Sequence, residues 1–139
     1  MRSLAEIEER IERDEFEGPA FAAARDLLTV GEDVLAHWVA TRNLTATQGE
    51  VEGFRLLALH RQGARGDPSF NACRESCREL VHHYNMITLD QDHADTVQRL
   101  RMMRMVAAHI YYFVMGKMQN AQLGEFCCSS RSLRLNEAL

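Results

Sequence analysis

The sequence predicts an all-α fold, a single-domain bundle of about five helices, on three observations. Apolar residues recur at spacings of three and four along most of the chain, no useful length alternates with period two, and both prolines stand where helices start. At 139 residues the chain can bury one core without metals or disulfides as staples. Its 46% hydrophobic and 26% charged composition is that of a folding globular domain rather than a disordered segment. The expected organisation is one helical domain over 1–139, with an acidic N-terminal helix within 1–17 and a tail over 122–139 that carries Cys127 and Cys128.

The elements follow in order. Ser3 and Glu6 form a capping box, each side chain satisfying the other's backbone N–H, and open a short helix from Leu4 to about Phe16. Gly18 and Pro19 end it, and Pro19 opens a second helix running from Ala20 to about Arg42. Along that helix Phe21, Ala24, Leu28, Gly31, Leu35 and Trp38 repeat at alternating steps of three and four, a bundle seam. After a break at Asn43–Ala46, Thr47 and Glu50 read as a second capping box opening a third helix that ends near Gln62. Gly63, Gly66, Asp67 and Pro68 make a loop and a restart, with Asp67 as the cap of a fourth helix extending to Ile87. A fifth helix runs from Thr88 or Asp90 to about Ala121, with Asp90, Asp92 and Asp95 in the first turns that its dipole favours.

In the fifth helix, Met102–Met115 interrupts its apolar residues only with Arg104 and His109. Fourteen residues rise roughly 21 Å, short of the ~30 Å hydrocarbon core, so the segment is not a membrane span. On a helical wheel Met103, Ala107, Ile110 and Val114 share one face, while Met102, Met105, Tyr112 and Phe113 lie on the other, with His109 buried among them. This helix is therefore expected at the centre of the bundle or at a dimer interface.

Charge is segregated. Residues 1–18 hold seven acids against three arginines and carry the whole net charge of −4, while the chain from Arg99 onward is mildly basic. Fifteen of the sixteen basic residues are arginine, and Lys117 alone could serve Schiff-base chemistry. The start, Met1-Arg2-Ser3-Leu4, lacks the apolar stretch of a signal peptide, so a cytoplasmic location with reduced thiols is expected.

Cys73 and Cys77 sit four apart on one helical face, a spacing that can clamp a soft metal. Glu79 and His82 follow on the same helix but on the opposite side, so they do not join the cysteines around one ion. Cys127 and Cys128 would complete a four-cysteine site if the tail folds back. Glu79-x-x-His82 is also the motif of di-iron bundles, with Asp90-x-x-His93 a second copy, although about one such pair arises by chance in a chain of this composition. His37 and His60 stand singly. Nucleophile-elbow, Walker, dinucleotide and zinc-protease patterns are absent.

Two short resemblances complete the reading. His60-Arg-Gln-Gly63 is similar to the histidine-then-glycine pattern of phosphotransfer bundles, one residue short and without the lysine. Leu44-Thr45-x-x-Gln48 leading into Val51, Phe54 and Leu57 resembles the start of the helix-turn-helix unit of MarR-type regulators, a resemblance that implies a dimerising C-terminal helix. It departs from that family in the longer loop from Gln62 to Pro68 and in the missing wing hairpin.

The expectation is a non-enzymatic binding or regulatory protein acting through self-association or helix-mediated partner binding. Met102, Met105, His109, Tyr112 and Phe113 form its interface. A Cys/His metal-binding or thiol-redox protein is the alternative, and a helix-turn-helix-like transcriptional regulator the next. No cofactor beyond a metal ion is implied. Nucleic acid is not an expected partner, because Arg74 and Arg78 are offset by Glu75 and Glu79.

Overall fold

The computed structural model describes residues 1–123 together with 127–128 and 130–131, with side chains described through residue 121. Five α-helices form the body: α1 (Leu4–Glu12), α2 (Ala20–Thr41), α3 (Arg55–Ala64), α4 (Arg74–Leu89) and α5 (Thr96–Leu123), with a 3-10 helix over Pro68–Cys73 between α3 and α4. The body is a single all-α core. Beyond α5, the backbones of Cys127 and Cys128 pair with Arg131 and Ser130 in a two-residue antiparallel ribbon.

The Ser3 box is present: the Glu6 N–H donates to Ser3 Oγ at 3.1 Å and the Ser3 N–H to Glu6 Oε1 at 2.8 Å. One face of α1 buries Ile7 and Ile11. Arg10 on that helix reaches Asp26 of α2 at 2.7 Å, and Arg2 pairs with both Asp26 and Asp33. Arg104 of α5 donates to the Ile11 carbonyl at 2.6 Å, so α1 is tied to both long helices.

The central helix is α2. It packs against each of the other four, and twelve of its 22 residues are buried, including Ala24, Leu28, Gly31, Leu35 and Trp38 of the expected seam. Phe21, at the helix start, is exposed. The helix α5 packs on α2, α4 and α1, and the described residues cover it along one side only. Its apolar residues run nearly all round because they fill two roles, a buried face and an outward stripe.

Helix α1 stops at Glu12 rather than near Phe16, and the start expected for the fourth helix at Pro68 is a 3-10 helix, so that α4 itself begins at Arg74. Two further boundaries differ from expectation. Helix α3 starts at Arg55 rather than Thr47. Glu52 and Gly53 adopt φ of 54° and 85°, and Val51 and Phe54 exchange both backbone hydrogen bonds at 3.0 Å. Two consecutive residues at positive φ make a type I′ turn, a conformation that glycine adopts without penalty and that no helix contains. Thr47 Oγ1 accepts from the Gly49 N–H at 3.0 Å instead of capping a helix. At the other boundary, Asp90, Asp92 and Asp95 lie in the loop before α5, and Thr88 belongs to α4. Asp67 does precede the 3-10 helix, but its carboxylate accepts from Ser69 Oγ at 2.6 Å and pairs with Lys117 at 2.8 Å rather than capping backbone.

Phe70 sits at the junction of these elements with no exposed surface. Its ring stacks on Trp38 of α2 with centroids 5.2 Å apart, on His60 of α3 at 5.4 Å, and meets Phe113 of α5 at 5.8 Å. Trp38 Nε1 donates to the Gly63 carbonyl at 3.0 Å, and Arg42 donates to the same oxygen at 2.6 Å. A Cβ at Gly63 would lie 2.8 Å from Trp38 Cδ1 and 3.1 Å from Phe70 Cε2, so only glycine lets the end of α3 approach these rings.

Phe70→Ala removes a fully buried ring shared by three helices and is expected to lower the unfolding free energy by about 3–5 kcal/mol in urea denaturation. A loss under about 1 kcal/mol would show that the junction does not hold the helices together.

Candidate functional site

The structure brings Cys73, Cys77 and His60 together beneath the Phe70 ring. The 3-10 helix is responsible, because it turns the chain so that the start of α4 lies against α3. Cys73 Sγ donates to the Phe70 carbonyl at 3.3 Å. His60 Nε2 lies 3.2 Å from the same oxygen, which requires the proton on that nitrogen. All three side chains are buried, the two cysteines at 1% exposure or less.

The two thiols titrate as a unit. The neighbouring Cys77 thiol, and after it the His60 imidazole, favour the charged form of Cys73. Against the cost of burial these draw the Cys73 thiol down to about 6. Cys77 is pushed up by the neighbouring Cys73 and by its own burial. The arrangement suits one thiolate held in a dry site beside an imidazole. Among the described residues, no group of three or more His, Cys, Asp or Glu side chains is arranged to hold a metal ion.

The other expected metal candidates lie elsewhere. Glu79 and His82 are exposed on the far side of α4 from the cysteines, as the wheel placed them. His82 stands edge-on to His83 with ring centroids 5.8 Å apart. Burial lowers the pKa of His83, and its Nδ1 is buried without a hydrogen-bond partner. The side chains of Cys127 and Cys128 lie outside the described residues. Apart from the His60-Arg-Gln-Gly63 pattern, His60 stands singly in the sequence. The available signal was its place in the row Leu56, Leu59, His60, Gly63, which puts it on the inner face of α3.

The expected interface residues divide. Met102, Met105 and Tyr112 are 50%, 58% and 54% exposed, and His109, expected to be buried, is exposed beside them because no other helix among the described residues covers that face. Phe113 turns inward, half-buried against Phe70. Met103, Ala107, Ile110 and Val114 are buried on the opposite side of the helix.

Thiolate absorbance should follow this geometry. On raising the pH through about 6 the native protein is expected to gain the absorbance of one thiolate, which Cys73→Ser abolishes and His60→Gln moves to higher pH. Absence of any thiolate below about pH 8, the ordinary thiol range, would contradict it.

No protein-family model, curated protein or solved structure matches the chain, which leaves the geometry of these side chains as the basis for its function.

Proposed function

We propose that the protein is a non-enzymatic binding protein that self-associates through the outward stripe of α5. The observation that carries this is the exposure of Met102, Met105, His109, Tyr112 and Gly116 in one row on a described, well-packed helix. Their steps of three, four, three and four are those of a helix-to-helix seam, in which each side chain seats between four of a facing helix. Large apolar side chains held half-exposed in a continuous row lose favourable burial that a partner would restore.

A second copy of this chain is the occupant the row fits. An isologous contact presents the same stripe twice, so seam length and spacing match by construction. His109 stands at the middle of the row, where one polar residue in an otherwise apolar seam selects register. Methionine and tyrosine supply adaptable and amphipathic contact area. The thiols give weaker support for a functional role in the resting fold, since both Cys73 and Cys77 are sealed from solvent.

Sedimentation velocity across a concentration series is the test. The protein is expected to pass from monomer to dimer with a Kd on the order of micromolar or weaker, the range of interfaces with few anchors. Met105→Glu and Tyr112→Glu are expected to hold it monomeric. Both side chains are exposed in the single chain, so thermal unfolding of the monomer should change little. A monomer at every concentration, or association untouched by both substitutions, overturns the proposal.

A further inference from the structure

Between α3, the 3-10 helix and the start of α4 lies an open groove of about 670 Å³. Four arginines line it: Arg61 and Arg65 from the end of α3, and Arg74 and Arg78 from the first turns of α4, with Asn71 between them. Glu75 is the one acid in the lining. This is a local reversal of sign in a protein whose net charge is −4.

Three of the four arginines make no ion pair within the described fold. Arg78 pairs with Glu52 at 3.0 Å, but Arg61, Arg65 and Arg74 lie within ion-pair distance of no carboxylate among the described residues. Holding like charges together without counter-charges costs stability, and the cost is offset when an anion enters. Glu52 already reports that field. Hydrogen bonding to Arg78 holds its carboxyl below the ordinary range, and the charges of Arg78, Arg61 and Arg74 act in the same direction. Its carboxylate therefore stands at the rim as an internal stand-in for a ligand.

We propose that this groove binds a small organic phosphate, with the phosphate held by Arg61, Arg65 and Arg74 and the organic part resting on Val51, Leu57 and Ala64. A phosphate monoester carries close to two charges and three terminal oxygens, enough for several guanidinium forks, where a carboxylate satisfies one. The volume is that of a small-molecule site. A nucleic acid fits less well, since its backbone needs an extended basic track and would meet the acidic remainder of the molecule. The site is separate from the α5 stripe and independent of self-association.

Isothermal titration with phenyl phosphate and with inorganic phosphate tests this on the full chain. Saturable one-to-one binding is expected, tighter for phenyl phosphate because its ring covers the apolar floor. Arg61→Gln and Arg74→Gln should each weaken it by about tenfold, as loss of a charged hydrogen bond does. Arg99→Gln, which removes the same charge elsewhere, should leave it unchanged. Glu52→Gln should tighten binding by freeing Arg78. The proposal is overturned by no saturable heat with either ligand, or by Arg99→Gln costing as much as Arg61→Gln. Weaker binding in Glu52→Gln, or preference for a single-stranded RNA oligonucleotide over phenyl phosphate, overturns it equally.

Discussion

The stack of Trp38, Phe70 and His60 is the constraint on which the rest of the structure depends. Phe70 enters the core from a 3-10 helix rather than from a regular α-helix, and the Gly63 carbonyl that holds Trp38 and Arg42 lies on the opposite arm of the same hairpin. Ring stacking and buried hydrogen bonding thus fix the angle between α3 and α4. Everything chemical on this side of the molecule follows from that angle. It sets Cys73 and Cys77 beside His60 on the inside, and it sets two pairs of arginines facing each other on the outside.

A second constraint is the central place of α2. With α3, α4, α5 and α1 all packed on it, no helix among the described residues is left to cover the far side of α5. The outward stripe is thus a consequence of topology as much as of composition. Met102, Met105 and Tyr112 stand at least half exposed on that far side, outside the core that α5 shares with its neighbours. Their apolar character is a property of the surface rather than of the core.

Charge is used differently at the two ends. At the N-terminal end Asp14 pairs with Arg101 and Arg104 of α5, and Asp26 of α2 takes Arg10 and Arg2. Lys117 is likewise spent on Asp67 while its ammonium stands over Trp38. In the groove, Arg61, Arg65 and Arg74 have no carboxylate within ion-pair distance among the described residues. Arg55 and Arg78 show what the fold does with a structural arginine, placing it against Glu32 and Glu52.

Local rules were enough to read several features from the sequence alone. The Ser3–Glu6 box, the break at Gly18-Pro19, the α2 seam and the restart at Pro68 each depend on residues within a turn or two of one another, so their spacing carries the information. The all-α class and the two faces of α5 follow from periodicity for the same reason. The tertiary structure alone decided that Thr47 and Glu50 stay outside the helix, because the Glu52-Gly53 turn outcompeted a plausible cap. It also decided that His109 faces outward, since periodicity divides a helix into faces without saying which of them a neighbour covers. The meeting of His60 with Cys73, and of Arg61 and Arg65 with Arg74 and Arg78, joins residues on separate helices. That proximity is set by the packing of Phe70 against Trp38, a contact between residues 38 and 70 that no local pattern encodes.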